Sequence, residues 1–384
     1  MRRYWKPLLV LSVLIALTML IASRNAPTSA YPAPPIAVDI DPNTYLIRTD
    51  SPPASATTGV NLLINGDFEM EDPATHGFRW YPPNHYLALH WHRWWVNIWP
   101  SQIPEYDDMR PGGRWPPYSG KHAQVYFKWG VRYEAGIYQV VENITPCMPY
   151  EFSMYVFSSG NPGTEPRAMV GLDPQGTKIT HHDHIHNDLI AWPPYMHWSA
   201  MQTEFRTWTR QAVVAEALSD KLTAITYANP RYQGPNIPFY DTWWDYGFLY
   251  QLNFPDGKLP EPLSWNSTYL GTPNAQRQGD NVTISWNSSG PASTQLRYTI
   301  RRHHEPVSST LLLLANPVYL PLIAYSQPVY TTALNPTPVT EHNVSITVPN
   351  LKSNDQITYW LLSRRPDTGA CVTEGRGPFE YVVP

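Results

Sequence analysis

Residues 122–128 (HAQVYFK), 136–142 (GIYQVVE) and 150–157 (YEFSMYVF) decide the fold class. Each is a strand-length run rich in β-branched and aromatic residues, and Gly, Pro or Asn stands between one run and the next. Three more follow at 167–172 (RAMVGL), 209–216 (TRQAVVAE) and 221–227 (KLTAITY). Short strands at regular spacing predict a β-sandwich or jelly roll. A second series, at 281–287 (NVTISWN), 295–302 (QLRYTIRR), 343–348 (NVSITV), 356–363 (QITYWLLS) and 378–383 (PFEYVV), predicts a smaller sandwich behind the first. The 41 prolines and 21 glycines argue against long helices, because proline breaks the helical ladder and glycine weakens it. The chain is expected to be all-β.

Composition narrows the function. Lys and Arg number 27 against 31 Asp and Glu, so no basic field for nucleic acid exists. Arg2, Arg3 and Lys6 precede an apolar run, Pro7 to Ala22, and the small residues Thr28, Ser29 and Ala30 follow it. That is the pattern of a signal peptide over 1–30, with an uncleaved anchor as the alternative membrane reading. Residues 1–30 hold four cations and no acids, so their removal leaves 23 against 31, a net charge of −8. A secreted or cell-surface protein follows, soluble and expected to be monomeric. Cys147 and Cys371 are the only cysteines. An oxidising compartment permits one bridge between the two blocks, and two separate buried cysteines are the alternative.

Residues 31–60, with six prolines, read as a linker, 61–252 as the first block, 253–262 (NFPDGKLPEP) as a second linker, and 263–384 as the second block. The stretch 307–340 interrupts the second series and predicts either one strand with a long insertion or a buried hairpin. The second block's spacing resembles a fibronectin type III or immunoglobulin-like sandwich.

Five stretches in the first block, taken in order, resemble bacterial carbohydrate-binding modules of the family 4 and 9 kind, which are galactose-binding-like jelly rolls. Residues 61–69 (NLLINGDFE) resemble the family's first strand, 119–125 (SGKHAQV) its S-G-x-x-A strand, and 135–141 (AGIYQVV) its l-x-Q-x-v strand. Residues 145–150 (TPCMPY) sit where such modules have t-P-G-x-x-Y, and 240–249 (YDTWWDYGFL) resemble the closing D-D-v-x-L strand, with Tyr246 in place of the second acid. The insertion from His76 to Asp108 has no counterpart in that pattern. The resemblance implies a polysaccharide or cell-surface glycan as partner. It also implies a structural calcium (Ca2+) that joins the first and last strands through Glu69 and Asp245, with Asp67 and Asp241 as neighbours.

Sugar rings present apolar C–H faces ringed by hydroxyls, so a sugar site needs flat aromatics beside amides or carboxylates. Alternation puts Gln124 and Tyr126 on one face of their strand, and Glu151 and Tyr155 on one face of theirs. With Gln139 they predict a polar, aromatic groove, approached by Trp115 and Tyr118 on a proline-rich loop. An ordinary solvated face is the alternative. Five tryptophans (Trp91, Trp94, Trp95, Trp99, Trp115) fall in 91–115, a stretch read as loop that either clamps a sugar or plugs the jelly roll.

Residues 180–188 (THHDHIHND) would turn His182, His184 and His186 to one side if extended, a possible zinc or copper set; a solvated polar loop is the plainer reading. No nucleophile elbow, phosphate loop or Cys–His signature occurs. The expectation is a non-catalytic binder of a neutral polysaccharide. A structural surface protein and a metal-dependent hydrolase built on 181–188 are its rivals.

Overall fold

The computed structural model describes residues 60–70, 78–81, 85–96, 103–109, 115–161, 163–179, 195–232, 239–303, 328–367 and 370–384. The signal-peptide segment, residues 31–59, the histidine run and most of 307–340 lie outside them. All described residues belong to one unit, Arg48–Pro384.

Two five-stranded antiparallel sheets build the first block. A ribbon of β1 (Phe78–Tyr81) and β2 (His85–Ala88) precedes them. The first sheet joins β3 (His92–Trp95), β6 (Ala135–Glu142), β9 (Ala168–Asp173), β10 (His197–Trp198) and β12 (Lys221–Ala228) in the order β10-β9-β12-β6-β3. The second joins β4 (Glu105–Met109), β5 (Ala123–Trp129), β7 (Pro149–Gly160), β11 (Thr209–Glu216) and β14 (Phe239–Gln251) in the order β11-β7-β14-β5-β4. β8 (Thr164–Glu165) and β13 (Arg231–Tyr232) form a second ribbon.

Strand alternation makes the core. Tyr150, Phe152, Met154 and Val156 of β7 point inward with Trp244 and Leu249 of β14, and meet Ile137, Val141, Val170, Leu172, Leu222 and Ala224 of the opposite sheet. β12 is central and buried on both faces. Its Ile225 and Tyr227 face outward under a second cluster with Trp94, Tyr138, Met169 and Ile179.

Two readings need correction here. Residues 61–69 do not form a strand but a run of turns held against β14. Asn61 Nδ2 donates to Gly247 O at 2.8 Å, and Asn61 Oδ1 accepts Leu249 N at 2.9 Å. Gly247 N donates to Gly66 O at 2.8 Å, and a Cβ on Gly66 would stand 2.4 Å from Gly247 O. The stretch 91–115 is not all loop, since it supplies β3 and β4, one edge strand for each sheet. Prolines hid them from a sequence reading. Trp91, Trp94 and Trp95 are buried packing residues, and Trp99 lies outside the described residues.

The second block comprises β15 (Asn274–Gln278), β16 (Asn281–Arg301), β17 (Tyr330–Thr331), β18 (Asn335–Thr347), β19 (Gln356–Asp367) and β20 (Ala370–Val382). The 21-residue β16 merges two expected strands. Its first half pairs with β15 and β18, its second with β17 and β19, and β20 follows β19. Val282, Ile284, Trp286, Leu296, Ile346, Ile357 and Leu361 fill its core.

Residues 253–262 connect the blocks without being exposed throughout. Phe254 and Leu259 are buried in the first block's core, together with Leu362 of β19. Gln295 clasps the connection: its Oε1 accepts Leu259 N at 2.9 Å, and its Nε2 donates to Gly257 O and Thr332 O. Cys147 and Cys371 are bridged, with Cα atoms 5.5 Å apart across 224 residues of sequence. Beside them, Arg364 donates to Glu216 and Thr373 and stacks over Phe254.

Candidate functional site

The residues expected in one groove divide between two environments. Gln124, Tyr126 and Gln139 lie inside the sandwich, not on an open face. Gln124 Oε1 accepts Ala88 N at 2.9 Å, and its Nε2 donates to Tyr86 O and Asp107 O. It ties β2 to β4 and β5. Gln139 pairs its amide with the backbone of Ile64, accepting from N at 2.8 Å and donating to O at 2.9 Å. In this way it replaces the ladder that the strandless segment 61–69 lacks. Tyr126 bonds Thr226 Oγ1 and accepts from Trp244 Nε1, and burial pushes its phenol well above the usual range. Alternation gave two faces but not which of them was inside. On β5 the aliphatic Val125 faces outward and the amide Gln124 inward, because the inner amide finds backbone partners.

The outer face of the β11-β7-β14-β5-β4 sheet carries the other four expected residues. Trp115 packs against Phe157 and Trp243, with ring centroids 5.4 and 6.5 Å away, over a cluster that includes Val125 and Trp208. Tyr118 lies flat on Tyr155, centroids 3.7 Å apart and planes 14° apart. Trp208 stands edge-on to Tyr118 at 5.9 Å, and Tyr246 lies 5.8 Å from it. Along β14, Tyr246 meets Phe248 at 4.5 Å, and Phe248 stacks with Tyr250 at 5.5 Å. Glu151 pairs with Arg210, which sits opposite Tyr155 in the ladder.

A β-bulge explains Tyr246. The register of β14 against β7 shifts between Asp245 and Phe248, and Tyr246 has φ 55°. Bulges re-aim side chains, and here the bulge sets Tyr246 beside Tyr118 and Tyr155. Tyr118, Trp208, Tyr246 and Phe248 are half-buried. Together they form an aromatic platform on a rigid sheet. Trp208 and Tyr246 were missed in the sequence. Tyr246 had shown only as a missing acid, and Trp208 adjoins a strand whose own pattern was unremarkable.

Glu69 and Asp245 hold the loop that carries Tyr118. Glu69 Oε1 accepts Lys121 N at 2.7 Å and His122 N at 2.8 Å, while Asp245 Oδ2 accepts Ser119 N at 2.9 Å. Gly120 has φ 59°, and Glu69 packs where its Cβ would be. Asp245 is fully buried. Burial raises its carboxyl well above the ordinary range; bonds from Ser119 and Tyr246 oppose this, and the Glu69 charge adds to it. Asp67 Oδ1 accepts Glu69 N, and Asp241 lies on the outer face two residues before Trp243. No cluster of three or more His, Cys, Asp or Glu suited to a metal occurs among the described residues. A cation here would have to take carbonyl oxygens beside Glu69 and Asp245, as hard Ca2+ does. His182, His184 and His186 lie outside the described residues.

No protein-family model matches the sequence, and no curated protein does. Solved structures do. One is the module TmCBM61 in complex with β-1,4-galactotriose, at 11% identity and TM-score 0.31, over 50% of this chain and 99% of that one. Another is the adhesin domain of Epf from Streptococcus pyogenes, at 8% and 0.32, over 76% and 91%. A third is the tandem CBM22 domain of Paenibacillus barcinonensis Xyn10C, at 10% and 0.25, over 76% and 93%. Likeness this distant fixes neither ligand nor chemistry, and the site's reading rests on its own geometry.

Proposed function

We propose that this protein captures a polysaccharide or cell-surface glycan on the outer aromatic face of its first sandwich, without turning it over. The observation that carries this reading is the Tyr118–Tyr155 stack flanked by Trp208 and Tyr246. A half-exposed phenol ring backed by a second ring at 3.7 Å cannot tilt freely, and a fixed flat ring suits the C–H face of a pyranose. The first sandwich is then a carbohydrate-binding-module-like jelly roll. The second, with β15 and β18 on one half of β16 and β17, β19 and β20 on the other, serves as a fibronectin- or immunoglobulin-like spacer. The protein works as a monomer outside the cell, where its disulfide is stable. Calcium between Glu69 and Asp245 would stiffen the loop that presents Tyr118.

Affinity electrophoresis of the full chain through β-glucan, xylan, mannan and galactan gels tests the reading. Tyr118→Ala should weaken retardation about tenfold, as truncation of an aromatic anchor does, with the melting temperature within a few degrees of wild type. Wild type that is unretarded by every glycan, charged ones included, would leave the structural surface protein as the better account.

A further inference from the structure

Arg206 stands at one end of the platform and has no established role. Its backbone N donates to Ser158 O at 2.9 Å, which pins the segment before β11 to β7. Its φ is 58°, a left-handed conformation that is uncommon for a bulky residue. The side chain is exposed. Its guanidinium carbon lies 5.8 Å from the centroid of Trp115 and 5.8 Å from that of Phe205. Trp115 belongs to the cluster that includes Trp208, and Trp208 edges the Tyr118 ring.

Two features set this arginine apart from the others at the face. Arg210 is paired with Glu151 at 2.5 Å. Arg206 makes no ion pair among the described residues. The nearby carboxylates are otherwise engaged: Glu204 accepts from Thr209 Oγ1, Glu151 holds Arg210, and Asp245 takes the amides of Ser119 and Tyr246. Aromatic contact fixes the guanidinium and leaves its N–H edge to meet a partner. That edge is a planar fork of donors, matched to a carboxylate.

We infer that the glycan is acidic and that Arg206 reads the carboxylate of a uronic-acid residue while its neighbouring sugar sits on Tyr118. This rests on the platform being a glycan site. The net negative charge of the chain does not oppose it, because charges beyond about 10 Å are screened at 0.1 M salt, whereas a stacked guanidinium acts at contact. Arg206 thus serves in specificity, and the aromatic rings supply the general affinity. The carboxylates on the same face are Glu151, held by Arg210, and Asp241, which lies across from Ser159 on the neighbouring strand, with Glu105 two strands further on.

The test is affinity electrophoresis of the full chain in polygalacturonate, alginate and hyaluronan. Fully methyl-esterified polygalacturonate, a sulfated glycan, and neutral galactan and xylan run beside them. Wild type should bind at least one uronate polymer roughly tenfold more tightly than the methyl ester or the neutral glycans. Arg206→Gln should collapse that difference, and Arg206→Lys should restore only part of it, since the charge returns without the fork. Melting curves of both variants guard against misfolding. Neutral glycans bound as tightly as uronates would overturn the inference and leave the glycan reading standing, and so would a sulfate preference over carboxylate. A uronate preference that survives Arg206→Gln would overturn the role of the residue. Wild type retarded by nothing would overturn both.

Discussion

The two faces of one sheet carry the same kinds of residue and use them in opposite ways. On the inner face, Gln124 and Tyr126 spend their polar atoms on backbone groups and on Thr226 and Trp244. On the outer face, Tyr118 and Tyr246 keep their rings half-exposed, with Tyr155 buried beneath Tyr118. Residue type does not distinguish a binding amide from a structural one. What distinguishes them is whether the polar atoms are already satisfied. An inner residue that ties several backbone groups is expensive to remove and silent in binding; an outer ring is cheap to remove and felt by the ligand.

Gln124→Ala gives the sharpest break of that contrast. It removes the partner of Ala88 N in the interior and of Tyr86 O and Asp107 O at its part-buried margin. The expected loss is about 3–5 kcal/mol of stability, read from urea unfolding, with glycan affinity kept in whatever fraction remains folded. A loss below about 1 kcal/mol, or a selective loss of binding, would place Gln124 in the site after all.

The second sandwich offers the same kind of buried group with a titratable ring. His342 is buried against Trp286, its Nδ1 faces Thr294 Oγ1 at 2.6 Å, and its Nε2 faces Ser288 Oγ at 2.9 Å. Burial lowers its pKa from 6.5 to about 4. Between those values the unfolded chain binds the extra proton, so stability is complete above pH 6.5 and falls as pH drops toward 4. The full effect is about 3 kcal/mol. Urea midpoints at pH 7.5 and 4.5 should show it, and His342→Gln should flatten that slope.

The proposed calcium offers a third test, at the junction of the two faces where Glu69 and Asp245 hold the Tyr118 loop. A chelator should lower the melting temperature of the full chain, by an amount equivalent to roughly 2.7 kcal/mol relative to calcium at a hundredfold excess over Kd. Glu69→Gln should remove the chelator's effect. Superimposable melts with calcium and with chelator would show that the backbone amides suffice for the two carboxylates.

Much of the fold was legible because period-2 alternation is local. The runs at 122–128, 136–142, 150–157, 167–172, 209–216 and 221–227 fall on β5, β6, β7, β9, β11 and β12. Two edge strands were not legible: β3 and β4 lie among prolines, and their pairing with β6 and β5 supplies the regularity that their sequence lacks. The disulfide was open in the sequence as one of two possibilities, and the proximity of Ala217 to Cys371 of β20 could not be seen there. The single groove expected of seven residues divided: Trp115, Tyr118, Glu151 and Tyr155 lie on the outer side and Gln124, Tyr126 and Gln139 inside, and the platform needed Tyr246, which the bulge turns outward.

What the sequence determined by itself, then, was the class and the alternation. Proline and glycine exclude helices, β-branched and aromatic runs make strands, and each strand acquires two distinct faces. Only the tertiary structure decided which face was buried. Strand alternation is symmetric, and the choice belongs to the opposing sheet: Ile137 and Leu222 meet Phe152 and Met154, while Gln124 and Gln139 find unpaired backbone at the edges. The same packing turned Tyr155 to the outer face, where Tyr118 covers it.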